Sequence, residues 1–219
     1  MHKTIQNLIS IEEKIKLRLK EKKINKLPEI IAVSKTFQIE KIYPLIAHGH
    51  LNFGENKVQE AMNKWKTVKE NNPKINLHLI GKLQTNKVKI AIKIFDFIHT
   101  VDSIKLAKKI SDEQNKIKKN IKIFIQVNIG EEVQKSGIMK NKLDELVNYC
   151  KELNLNVIGL MCIPPIHGKT ENYFKDLENL NSKYNLSELS MGMSSDYLLA
   201  IMNSSTYVRI GSSIFGSRD

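Results

Sequence analysis

In IIAVSKT (residues 30–36) an apolar, β-branched stretch leads into a lysine, Lys35, set between two small residues, Ser34 and Thr36. Most of the 32 lysines in the chain serve as surface charge. One set at the end of a strand-like run is placed to act as an amine nucleophile. Such a lysine attacks only when neutral, and a partly desolvated pocket lowers its pKa toward that state. Two later segments supply a different chemistry. LSMGMSSD (189–196) puts Gly192, Ser194 and Ser195 at a strand-to-helix turn, and VRIGSSIFG (208–216) puts Gly211, Ser212 and Ser213 at another, two residues after Arg209. Backbone N–H groups of such turns, helped by serine hydroxyls, bind phosphate. Either turn alone reads as a simple helix cap. Both together favour a phosphate site. A lysine facing a phosphate cradle fits a phosphorylated aldehyde held as a Schiff base, for which pyridoxal 5′-phosphate (PLP) is the usual ligand.

These residues need elements to position them. Apolar residues Ile5, Leu8, Ile9, Ile15 and Leu19 predict a leading helix over 4–23. Strands are then predicted at 29–34, 50–54, 76–81, 96–101, 121–128, 155–162, 187–191 and 205–210. Helical segments fall between them at 39–48, 55–70, 84–94, 103–117, 139–153, 170–184 and 195–202. Strands that alternate with helices are parallel, because parallel neighbours need a crossover. Eight such units in 219 residues suit a compact (β/α)8 TIM-type barrel with an extra N-terminal helix. No linker or composition shift divides the chain, so residues 1–219 read as one domain. Only SSIFGSRD follows the last strand, too little for a full eighth helix, and the N-terminal helix is expected to cover part of that gap.

In a barrel, chemistry gathers at the C-terminal ends of the strands. That rim would hold Lys35, the segment NFGENKVQE (52–60) and the segment HLIGKLQTNK (78–87). HTVDS (99–103), IQVNIGEEVQKSG (125–137) and the two glycine–serine turns complete it.

The totals narrow the classes. A net charge of +12 raises nucleic-acid binding. Against it, only Arg18, Arg209 and Arg218 are arginine, and the lysines are scattered. No apolar run approaches the roughly 18 residues of a membrane span. The charged N-terminus lacks a signal-peptide core. Cys150 and Cys162 show neither metal-ligand spacing nor a paired framework. The expectation is a reduced, cytoplasmic protein with no metal, no membrane and no nucleic-acid partner.

AVSKT (32–36), FGENKVQE (53–60), HLIGKLQTNK, VDS (101–103), QVN (126–128), KSG (135–137), LSMGMSSD and RIGSSIFGSR (209–218) run through nearly the whole chain. Together they resemble the pyridoxal phosphate homeostasis protein family, single barrels similar to alanine racemase. The resemblance implies a barrel that binds PLP covalently, with Lys35 as the Schiff-base lysine. It places Ser194, Gly211 and Ser212 at the phosphate, with Ser195 as a helper. Arg209 matches the arginine that faces the pyridine nitrogen, and Asn56 and His78 match positions bordering the cofactor. A cation at that nitrogen keeps it unprotonated, which disfavours transamination and related carbanion chemistry. One departure is the chain end at Asp219, where relatives continue; it bears on C-terminal anchoring and not on the site.

The function implied is PLP homeostasis by buffering or delivery, with PLP and PLP-dependent apoenzymes as partners. The competing reading is a PLP-dependent amino-acid racemase using Lys35 and a second acid/base, for which Tyr43, Tyr149, Tyr173, Tyr184, Tyr197 and Tyr207 offer no obvious candidate. A class I aldolase fits less well, because its imine lysine usually comes from a later strand. His99 reads better as a hydrogen-bonded structural histidine, and Cys162 as a small core residue. Glu131, Glu132 and Lys135 either shape a loop over the site or are solvated, and no catalytic role is assigned to them. Trp65 and the methionines of SMGM read as packing, with Met191 or Met193 as candidates to line a pocket.

Overall fold

Short β-branched runs bounded by polar turns form the strands of a computed structural model, which describes residues 1–24 and 26–216. They are β1 (Glu29–Val33), β2 (Asn52–Glu55), β3 (Asn76–Leu79), β4 (Phe97–Val101), β5 (Lys122–Gln126), β6 (Asn156–Met161), β7 (Glu188–Met193) and β8 (Tyr207–Ile210). Each pairs in parallel with its sequence neighbours, and β8 pairs with β1 through Ile31↔Arg209 and Ala32↔Ile210, closing the barrel. Residues such as Ile31, Ala32, Phe53, Leu77 and Ile123 are fully buried, as expected of strands with both faces covered.

The helices are α1 (Lys3–Glu21), α2 (Ile39–Ala47), α3 (Val58–Asn71), α4 (Val88–Ile94), α5 (Ile104–Lys116), α6 (Leu143–Glu152), α7 (Thr170–Lys183), α8 (Tyr197–Ile201) and α9 (Ser212–Phe215). α1 turns a stripe of Leu8, Ile11, Ile15 and Leu19 onto the barrel. α9 is a single turn, and Asn7 on α1 donates to the Ile214 carbonyl at 2.9 Å. The leading helix therefore packs beside the single turn that follows β8.

Most differences from the sequence expectation are at element ends. The helical segments predicted at 84–94 and 139–153 each open with a 3-10 turn, at Thr85–Lys87 and Lys140–Lys142. β7 runs on to Met193 through a bulge: the four residues from Ser190 to Met193 face the three from Tyr207 to Arg209. Gly192 makes the bulge possible, since its φ of +91° is left-handed and a Cβ there would lie 2.5 Å from that of Ala200. No helix of the described residues is long and apolar enough to cross a membrane. Ser217 and Arg218 of the last motif, and the chain end at Asp219, lie outside the described residues.

Candidate functional site

A cavity of about 550 Å³ opens at the C-terminal ends of the strands. Seven of the eight residues expected at the site line it: Lys35 and Asn56 on one side, Ser194, Ser195, Gly211 and Ser212 on another, and Arg209.

Lys35 stands two residues beyond Val33, the last residue of β1, and is half-buried. The chain turns sharply after it: Thr36 has φ +69°, which a β-branched residue rarely adopts. Surrounding groups hold that turn. The Thr36 N–H donates to Glu60 Oε1 at 2.7 Å, and Lys64 Nζ binds Glu60 at 3.1 Å, Glu55 at 2.9 Å and the Ser34 carbonyl at 3.0 Å. Glu55, fully buried, also accepts from the Ser34 hydroxyl at 2.7 Å and the Trp65 indole N–H at 2.9 Å. Burial raises its pKa, against the opposing pull of Lys64, Trp65 and Ser34. The sequence reading gave Trp65 to packing alone; its ring N–H also anchors this cluster.

Asn56 is held by close backbone approach. A Cβ at Gly81 would come within 2.3 Å of the Asn56 carbonyl oxygen, so the glycine after β3 lets the two turns touch.

The two glycine–serine turns meet around one hydroxyl. Ser194 Oγ accepts from the Gly211 N–H at 3.3 Å and the Ser213 N–H at 3.4 Å. These bonds are long, so an anionic oxygen would be a better partner for both donors. Asp196 shapes the first turn by accepting from the Met193 N–H at 2.6 Å.

Arg209 comes up from β8 and is 4% exposed. Its guanidinium gives Nη1 protons to the Ser190 carbonyl at 2.7 Å and hydroxyl at 2.8 Å, and an Nη2 proton to the Cys162 carbonyl at 2.9 Å. No carboxylate forms an ion pair with it among the described residues. Burial lowers its pKa, while Cys162 and Asp196 raise it. Cys162 is itself buried in the core, and burial pushes its thiol up to about 12, which leaves no thiolate for nucleophilic chemistry.

His78 is the expected residue that the structure places elsewhere. It is fully buried in the barrel interior and stacks on Phe97 at 4.1 Å. Its ring nitrogens meet His99 and Asn52, and it does not line the cavity. Two residues further along, Ile80 reaches the cavity instead. His99 lies beside it, bonded to His78 and Ser190. The Glu131–Gly137 loop is tied together by Glu132–Lys135 at 2.6 Å and, through Glu131, to Lys140 at 3.5 Å, away from the cavity lining. The sequence reading missed Val33, Phe37, Ile80, Ile163 and Gly216 on the cavity wall. Apolar residues beside a strand end carry no signal that separates lining from core. Of the two methionines offered, Met193 lines the cavity and Met191 is in the core. Among the described residues, no group of three or more His, Cys, Asp or Glu is placed to hold a metal.

The model of the alanine racemase N-terminal domain matches residues 8–219. The pyridoxal phosphate homeostasis protein of Pasteurella multocida is 35% identical, over 98% of this chain and 97% of that one. The protein of the same name from Escherichia coli K12 is 35% identical, over 100% of this chain and 98% of that one. The structure of PipY from Synechococcus elongatus PCC7942, with PLP bound, is similar with a TM-score of 0.81 and 32% identity, over 92% of this chain and all of that one. An alanine racemase of Clostridium difficile shares the fold at a TM-score of 0.66 and 15% identity, over 94% of this chain and 57% of that one.

Proposed function

The chain belongs to the alanine racemase N-terminal domain family, and we propose that it binds PLP covalently through Lys35 and serves PLP homeostasis by buffering or delivery, with little or no catalysis of its own. The observation that carries the reading is the make-up of one cavity. It joins a strand-end lysine, a buried arginine and two glycine–serine turns, the second of which has its Gly211 and Ser213 N–H groups held only by long bonds to the Ser194 hydroxyl of the first. The volume suits a ligand of this size. PLP supplies an aldehyde that an amine captures reversibly and a ring able to accept electron density. Gly211, Ser194 and Ser212 would hold the phosphate with Ser195 beside them, Asn56 would border the ring, and Arg209 would meet the ring nitrogen. PLP-dependent apoenzymes are the proposed recipients on delivery.

The relatives at 35% identity are named homeostasis proteins, which supports a carrier over a racemase. Among the described lining residues there is no tyrosine, histidine, cysteine or carboxylate. With PLP-loaded protein and L-alanine in deuterated water, Cα-proton exchange is expected to be no faster than with free PLP. Rapid exchange would overturn the carrier reading and establish a racemase.

The phosphate assignment has its own test. Removing a hydroxyl that serves a charged acceptor costs about 1.5–3 kcal/mol, or roughly ten- to a hundredfold in affinity. Ser194→Ala and Ser212→Ala are each expected to weaken PLP by that factor and to leave pyridoxal, which lacks the phosphate, nearly unchanged. Equal losses in titrations with both ligands would return the two serines to a capping role.

A further inference from the structure

Below the cavity, a file of polar side chains runs from Arg209 across the barrel interior, and beyond Arg209 the binding chemistry above does not use it. Arg209 Nη1 lies 2.8 Å from Ser190 Oγ, and Ser190 Oγ lies 2.9 Å from His99 Nδ1. His99 Nε2 is 3.0 Å from His78 Nδ1, and His78 Nε2 is 3.1 Å from Asn52 Oδ1. The Asn52 amide then donates to Glu29 Oε2 at 2.8 Å. Ser190, His99 and His78 are fully buried.

The two ends fix every proton between them. A guanidinium only donates, so Ser190 Oγ accepts from Arg209 and its single proton is left for His99 Nδ1. At the other end a carboxylate only accepts, so Asn52 turns its NH2 to Glu29 and its Oδ1 to His78. Asn76 Nδ2 donates to the same Oδ1 at 3.2 Å, which agrees with that orientation. His78 therefore carries its proton on Nε2 and His99 on Nε2. Both rings are neutral, and burial drives both pKa values well below the ordinary histidine value. All bonds of the file point the same way, from Arg209 toward Glu29.

Packing does not require these histidines. His78 stacks on Phe97 and His99 on Phe124 at 4.3 Å, positions an aromatic hydrocarbon would fill without desolvating polar atoms. Nor does the file begin at a group that releases protons, since arginine keeps its charge. What the file supplies is an acceptor of fixed direction for one side of the guanidinium. With Nη1 committed to Ser190 and an Nη2 proton to Cys162, the remaining donors, the Nε proton and the second Nη2 proton, are those left for a ligand. We propose that Ser190, His99 and His78 are positioning residues that aim Arg209 at the ring nitrogen of bound PLP. The inference rests on the reading that Arg209 meets that nitrogen.

The test compares PLP with its 1-deaza analogue, in which carbon replaces the ring nitrogen, by equilibrium titration of the full chain. Parent protein should prefer PLP. Ser190→Ala, which barely changes volume, should weaken PLP about five- to tenfold and the analogue less than about twofold. His99→Phe should do the same, and His99→Gln, which again offers an acceptor and a donor, should recover part of the loss. Melting temperatures identify any variant that fails to fold, and the remaining variants then decide. Equal weakening of both ligands would reduce the file to scaffold, and no weakening would also overturn the proposal. A parent that binds both ligands equally while still forming the Lys35 adduct would instead refute the placement of Arg209, and this proposal with it.

Discussion

Lys35→Ala is expected to lose most of the borohydride-stable PLP adduct, while weaker, non-covalent PLP binding survives. The cavity wall explains both halves. Among its described residues Lys35 is the one lysine, so no second amine meets an aldehyde seated there. Lys64 is near in the fold but commits its ammonium to Glu55, Glu60 and the Ser34 carbonyl, with 9% of its side chain exposed. Recruiting it would strand Glu55, already a buried acid with one oxygen lacking a partner. The turns at Ser194 and Gly211 do not depend on Lys35 and keep their hold on phosphate. The measurement is mass spectrometry of reduced, digested protein together with the absorption spectrum. An undiminished yield of adduct on another lysine would sink the assignment.

How far such a site can be read from sequence depends on what each signal encodes. Lys35, Ser194, Gly211 and Ser212 announce themselves because a polar or glycine residue directly after an apolar strand has few structural reasons to be there. The barrel is legible for a similar reason: eight β-branched runs separated by helices leave few parallel arrangements. Depth along the barrel axis is not encoded locally. HLIGKLQ places His78 near a strand end, yet β3 stops at Leu79 and it is Ile80 that reaches the mouth. That offset comes from the stagger of neighbouring strands, a property of all eight together. The bulge that carries Met193 into the cavity shows only as Gly192. Nothing in the sequence marks Glu55, since an acid near a strand end is usually solvated. Lys64 and Trp65, nine and ten residues later on α3, turn it into a buried anchor.

Arg209→Glu is expected to destabilise the barrel by about 3–5 kcal/mol, more than Arg209→Met, and by an amount that depends on pH. At roughly 2–4 °C per kcal/mol for a chain of this size, the melting temperature should fall by about 10 °C. The parent guanidinium supplies donors to the Ser190 and Cys162 carbonyls. Methionine leaves those oxygens short of a donor but adds no new acceptor. A carboxylate sets another acceptor against them. The interior file offers no relief, because the Ser190 hydroxyl already spends its proton on His99 Nδ1. Turning that proton toward the carboxylate would require His99 and His78 each to move its proton to the other ring nitrogen. The rearrangement then stops at Asn52, where either His78 Nε2 faces Oδ1 with no proton between them or a flipped amide sets Oδ1 against the Glu29 carboxylate. A single polarity thus runs from one end of the barrel to the other, and it demands a donor at position 209. The sign of the pH effect follows. The introduced carboxyl, buried among acceptors, has a folded pKa above its unfolded value of about 4.3. Between those two values the folded state binds more protons than the unfolded one, so stability is gained as pH falls. A protonated carboxyl can also donate to the carbonyls it otherwise repels. Denaturant midpoints of parent, Arg209→Met and Arg209→Glu at pH 5 and pH 8 measure this, and the Arg209→Glu deficit should shrink at pH 5. A deficit equal to that of Arg209→Met at both pH values would mean that the file tolerates either polarity. Arg209 would then owe its place to the ligand alone.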